Sequence, residues 1–176
     1  DVEVRIADDV GNLVGNGEIG TIEVRGPNVF KGYWRMPAKT SEEFRGDGFF
    51  ITGDLGVIEA NGRVTIVGRD KDLVISGGYN VYPKEVESLI DELDGVKEAA
   101  VIGVQHADFG EGVVAVIVSE QLDLELDFVR RSLETKLANY KIPKAIVNVS
   151  ELPRNVMGKV QKNILRERFH DLFDRD

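Results

Sequence analysis

Three short segments hold residues whose types and spacing could do chemistry. Gly48-Phe49-Phe50-Ile51-Thr52-Gly53-Asp54 ends an aromatic run in Thr-Gly-Asp. A carboxylate beside a glycine can accept two hydrogen bonds from a vicinal diol, the way a ribose is usually gripped. An aspartate that merely caps its own turn has the same local sequence. Gly68-Arg69-Asp70-Lys71-Asp72 gathers four charges, and Ser76-Gly77-Gly78 follows closely. The charges suit a solvated turn or a place where the chain bends. The glycine pair lets a ligand approach backbone closely, because no Cβ intervenes. Pro153-Arg154-Asn155-Val156-Met157-Gly158-Lys159 places a lysine after a glycine. Such a lysine is a mobile cation on an exposed loop, either a plain surface residue or a point charge for phosphoryl oxygens. It is not a P-loop, since Gly-x-x-x-x-Gly-Lys-Ser/Thr is incomplete.

The elements that must position these segments fall into two parts. Up to about Val67 the pattern is β. Ile22 and Val24 alternate with Thr21, Glu23 and Arg25, the period of a half-buried strand. Val57 to Ala60 and Arg63 to Val67 flank Asn61-Gly62, which predicts a two-residue hairpin turn with both residues at positive φ. A barrel-like or sandwich-like antiparallel end fits. After Gly68 the pattern is mixed. Val74-Ile75 leads into a flexible Ser76 to Asn80 loop. Pro83, Glu85 and Glu87 suit a helix start. Val86, Leu89, Ile90 and Leu93 continue that helix to Gly95. Ala99 to Val104, Val113 to Val118 and Ala145 to Val149 read as strands. Leu126 to Leu137 and Val160 to Phe169 read as helices. The predicted fold class is α+β: a β-rich part over residues 1–70, then a small α+β domain over 71–176 with about three strands and three helices.

Apolar residues make up 42% and charged residues 30%, as in globular proteins. A net charge of −9 argues against nucleic acid or an anionic membrane as partner. No apolar run approaches the roughly 20 residues a membrane span needs. There are no cysteines, so thiolate metal sites and cysteine nucleophiles are excluded. His106 and His170 lack ligand spacing, and no metal site is expected. Alternation already under way at Val2, Val4 and Ile6 implies a protein that extends upstream.

Taken in order, the three segments resemble successive signature motifs of the adenylate-forming acyl-CoA synthetases, adenylation domains and luciferases. Phe-Ile-Thr-Gly-Asp (50–54), Gly-Arg-Asp-Lys-Asp (68–72) with Ser-Gly-Gly (76–78), and Pro-x-x-x-x-Gly-Lys (153–159) carry the resemblance, with Lys31-Gly32-Tyr33-Trp34 upstream. Ser-Gly-Gly-Tyr-Asn-Val-Tyr-Pro-Lys-Glu-Val-Glu (76–87) and His-Ala-Asp-Phe-Gly-Glu-Gly-Val-Val-Ala-Val (106–116) resemble malonyl-CoA synthetases in particular.

The resemblance implies the C-terminal part of a cytoplasmic, two-step ligase. Carboxylate and ATP would give an acyl-adenylate, which coenzyme A would then attack. Asp54 and Arg69 would hold the ATP ribose and Lys159 would serve adenylation. Ser76, Gly77 and Gly78 would line the pantetheine tunnel, and Lys71 would be the hinge. His106 and Glu111 match a family segment with no chemistry assigned. Lys162 is expected to be a surface lysine. The partners implied are a small carboxylic acid, an N-terminal domain of the same enzyme, and a lysine acetyltransferase and deacetylase acting on Lys159. The phosphate loop, acyl pocket and magnesium ligands are expected upstream. Alternatives are an adenylation domain that loads a carrier protein, or a non-catalytic interaction module of the same fold. The chain's end at Asp176, with no carrier module after it, favours the stand-alone enzyme over the first.

Overall fold

The structure, a computed structural model, describes residues 1–119 and 125–174. It divides into two compact units, Asp1–Lys71 and a second from Asp72 onward.

The first unit is an antiparallel meander in the order β1 (Glu3–Ala7), β2 (Gly20–Arg25), β3 (Phe50–Ile58), β4 (Val64–Arg69). The sheet ends at β1 and β4, so the barrel-like expectation gives way to an open sheet. A short helix, α1 (Pro37–Glu43), was not anticipated, and it buries no residue. Without an apolar face it leaves no periodic signal.

The β3–β4 hairpin forms, but not through the expected turn. Gly62 N donates to Glu59 O at 2.8 Å, and Glu59 N donates to Arg63 O at 2.8 Å. Gly62 alone has positive φ, so this is a longer turn closed by one left-handed glycine.

Strand β2 also departs from simple alternation. Ile22 packs inward, yet Glu23 on the opposite face is fully buried. Arg5 Nε and Arg45 Nε each reach a different Glu23 oxygen at 2.7 Å. Arg5 is braced by Asp47 at 2.6 Å, and its guanidinium lies 3.8 Å from the centre of the Phe49 ring. The same hydrogen bond holds the Asp47 carboxyl below its usual range. A carboxylate is tolerated here because two guanidinium groups replace its water.

Among the described residues the second unit has five strands rather than about three. The additions are β5 (Val74–Ser76) and β6 (Tyr79–Val81), three residues each. They convert the expected flexible loop into a hairpin. Gly77 and Gly78, at φ 60° and 82°, form its two-residue turn. Next come α2 (Pro83–Asp91), β7 (Val96–His106), β8 (Gly110–Ser119), α3 (Leu126–Glu134), β9 (Ala145–Asn148) and α4 (Lys162–Arg168). The sheet order is β6-β5-β8-β7, antiparallel, with β9 parallel to β8 along Val114–Ile117.

Strand β8 is buried on both faces. Val113, Ala115 and Ile117 meet Val86 and Ile90 of α2 and Val129 and Leu133 of α3. Val114, Val116 and Val118 meet Leu165 of α4 and Leu152 of the segment before it. Its period of two feeds two separate cores, so the run reads as continuously apolar.

At the β7 edge, Glu87 of α2 is buried and its Oε1 accepts Val101 N at 2.8 Å. Lys162 Nζ lies 2.6 Å from the same oxygen, with its side chain only 17% exposed. Lys162 is therefore not the surface lysine expected. It is the counter-charge of a buried carboxylate, joining α4 to α2 across the strand edge.

Two stability outcomes follow for the full-length protein under urea. Arg5→Ala leaves buried Glu23 one guanidinium short and should cost on the order of 3 kcal/mol. Lys162→Ala should cost a similar amount, since Glu87 keeps its burial and loses its ion partner. Lys97→Ala, at an exposed lysine of β7, should leave the midpoint unchanged.

Candidate functional site

Asp54 and Arg69 face each other as a cross-strand pair of β3 and β4. Arg69 Nε is 2.9 Å from Asp54 Oδ1, and Arg69 Nη1 donates to Thr52 O at 3.3 Å. Thr52 Oγ1 donates to Ile22 O at 2.9 Å and accepts Asp54 N at 3.0 Å. The pair is thus held on rigid strands. Both line a cleft of about 680 Å³ together with Tyr33, Glu43, Asp70 and Lys71. Tyr33 donates to Glu43, and that hydrogen bond pushes the phenol pKa up. A vicinal diol entering the cleft would meet a carboxylate acceptor and a guanidinium donor side by side.

Lys71 is exposed, in a single 3-10 turn over Asp70–Asp72, and it ends the first unit. The next residue, Asp72, is tied to Arg166 of α4 at 2.7 Å.

Ser76 is buried, and Gly77 N donates to Phe109 O at 2.9 Å. Ile75 N donates to Glu111 Oε2 at 2.8 Å. Gly103 makes room for that carboxylate, because a Cβ there would stand 2.5 Å from Glu111 Oε1. At Gly78 a Cβ would meet nothing within 4 Å. Its requirement for glycine within this unit is therefore the positive φ and not crowding. His106 and Glu111 have structural roles: the His106 ring sits 4.9 Å from Phe109 and 4.8 Å from Phe173, and Glu111 holds the β5–β6 hairpin.

Lys159 is exposed at the end of a small hairpin loop. Arg154 and Val160 pair as an isolated antiparallel bridge, and Gln161 N donates to Pro153 O at 2.8 Å. Arg154 also pairs with Glu98 of β7. Arg154, Asn155, Glu98 and the Glu87–Lys162 pair were all missed as supports of this segment. The only local signal was Asn155 followed three residues later by Gly158, a turn signature.

The structure brings Asp54, Arg69 and Lys71 together in the first unit, and places Ser76 to Gly78 and Lys159 apart in the second. The Gly77 hairpin docks at Phe109, where β7 turns into β8. The Lys159 hairpin is anchored at Glu98, near the far end of β7. Glu98 and His106 are eight positions apart along the strand, roughly 26 Å at about 3.3 Å per residue. Among the described residues no helix is long and apolar enough to cross a membrane, and no group of three metal-binding side chains occurs.

Comparison with known proteins gives this arrangement a context. Residues 85–159 match the family model of the AMP-binding enzyme C-terminal domain. An indoleacetate–CoA ligase of Aromatoleum aromaticum is 42% identical over 165 residues, covering 93% of this chain and 32% of that protein. The long-chain-fatty-acid–CoA ligase FadD13 of Mycobacterium tuberculosis is 40% identical over 167 residues, covering 95% and 33%. The crystal structure of ATP-bound MatB from Rhodopseudomonas palustris superimposes with a TM-score of 0.92 at 58% identity, covering 98% of this chain and 35% of that one. The chain thus spans about a third of the length of these relatives. Its residues 85–159 are an AMP-binding enzyme C-terminal domain, and its homologues are acyl-CoA ligases.

Proposed function

We propose that the full-length protein activates a carboxylic acid with ATP and transfers the acyl group to coenzyme A. A carboxylate oxygen attacks the α-phosphorus, pyrophosphate leaves, and a mixed acyl-phosphate anhydride forms. The thiol sulfur then attacks the acyl carbon, AMP leaves, and the thiol proton passes to solvent or a base. Asp54 and Arg69 hold the ribose diol. Lys159 places its ammonium between the carboxylate and the α-phosphate, two anions that repel each other without a cation between them. Ser76, Gly77 and Gly78 line the path of the pantetheine arm. Magnesium accompanies ATP, with ligands outside the described residues.

The observation that carries this reading is the separation along one β7–β8 hairpin. Lys159 and the Ser76–Gly78 turn stand at opposite ends of it, too far apart to serve one reacting centre together. Two steps served in turn need a pivot, and Lys71 at the boundary between units is that pivot.

Malonate is the acid we propose, on the resemblance of segments 76–87 and 106–116 to malonyl-CoA synthetases and the 58% identity to MatB. The relatives are named for indoleacetate and for long-chain fatty acids, yet are 42% and 40% identical to this segment. Selection of the acid therefore belongs elsewhere in the protein. Their names as CoA ligases favour coenzyme A over a carrier protein as acceptor. A lysine acetyltransferase and deacetylase acting on Lys159 would switch the first step, because acetylation removes its charge.

Lys159→Ala in the full-length protein should lower pyrophosphate exchange on the order of 10²–10³-fold. Thioester formation from supplied acyl-adenylate should persist, and Lys159 acetylation should reproduce the pattern. Full exchange activity without Lys159 would overturn the assignment. Lys71→Pro fixes φ at the pivot. It should spare pyrophosphate exchange while slowing thioester formation, and an equal loss in both steps would remove Lys71 from the role.

A further inference from the structure

We propose that Asn155 is the positioning residue for Lys159, holding its loop in the conformation that adenylation uses. This rests on the role proposed above for Lys159. Asn155 Oδ1 accepts Met157 N and Lys159 N, both at 3.0 Å. Asn155 N donates to Lys159 O at 2.9 Å, and Gly158 N donates to Asn155 O at 2.9 Å. Both backbone polar groups of Lys159 are therefore tied to one residue. Gly158, at φ 78°, provides the left-handed step that closes the turn. Arg154 adds an outer brace through Nη1, which donates to Gly158 O at 2.6 Å.

Packing does not fix this loop. Val156 is 106% exposed and Met157 75% exposed. Ordering each residue of an exposed loop costs about 1–2 kcal/mol of conformational entropy. The hydrogen bonds of Asn155 are what offset that cost at the point where a lysine must be aimed. A misplacement of about 1 Å at a reacting centre can cost on the order of 100-fold in rate.

A second turn in the same chain shows what position 155 requires. Asp8 Oδ1 accepts Val10 N at 3.0 Å and Asn12 N at 2.8 Å. Asp8 N donates to Asn12 O at 2.9 Å, and Gly11 N donates to Asp8 O at 3.0 Å. These four bonds match those of Asn155, with a carboxylate in place of the amide, and Asp8 Oδ2 additionally accepts Asn12 Nδ2 at 3.0 Å. A side-chain oxygen accepting the amides two and four residues on is what the two turns share. The neutral amide adds one property: it leaves no anion beside an ammonium that has to meet a phosphate.

The test compares Asn155→Ala, Asn155→Asp and Lys159→Ala in the full-length protein. Asn155→Ala should melt at the parent temperature and lower kcat of pyrophosphate exchange on the order of 10- to 100-fold. Its KM for ATP and its thioester formation from supplied acyl-adenylate should not change. Asn155→Asp should restore slow hydrogen exchange at the Lys159 amide and recover kcat above the alanine variant. Parent-level exchange in Asn155→Ala, or equal impairment of Ala and Asp variants, overturns the positioning role while Lys159→Ala remains impaired. Retained exchange in Lys159→Ala overturns the underlying reading instead.

Discussion

Strand β8 is the constraint on which the second unit depends. Its residues Val113 to Val118 are buried on both faces, so helices must cover the sheet from both sides. Each buried valine or isoleucine contributes roughly 1.5–3 kcal/mol relative to exposure. The strand is therefore a rigid spine, and everything polar is pushed to its ends and edges. The β5–β6 hairpin attaches at Gly110, and β9 runs alongside Val114–Ile117. The Lys159 hairpin hangs from β7, the strand at the sheet's end. Placement of the candidate groups at two far ends is a consequence of a centre that admits none of them.

Among the described residues, charge enters the interior only with its counter-charge. Glu23 lies between Arg5 and Arg45, and Glu87 between Lys162 and the Val101 amide. Each carboxylate crosslinks segments far apart in sequence. Asp54 and Arg69 differ: they pair on the wall of a cleft, with side chains 30% and 47% exposed. Burial is what separates the ion pairs that lock each unit from this one.

Strong periodicity was legible in the sequence. The two long strands, the helices over Leu126–Glu134 and Lys162–Arg168, and the change of pattern after Gly68 all emerge from apolar spacing. Helix α1 was not legible, because Pro37–Glu43 buries nothing. Strands β5 and β6 were not, because three residues flanking two glycines carry no alternation. The burial of Glu23 and the pairing of Lys162 were invisible for a common reason. A charged residue at a strand or helix position looks solvated until its long-range partner is known, and Arg5, Arg45 and Glu87 lie 18, 22 and 75 positions away. The motifs at Asp54, Arg69 and Lys159 were found by type and order, while Asn155 needed the hydrogen bonds themselves.

The Gly103–Glu111 contact has an evolutionary consequence. The carboxylate of Glu111 crosses from β8 past position 103 of β7 to hold the backbone of β5. A side chain at 103 and a carboxylate at 111 compete for the same few ångströms. A Cβ at 103 would displace the carboxylate, and a shorter side chain at 111 would return the exposed Ile75 amide to water, so what one position tolerates depends on the residue at the other.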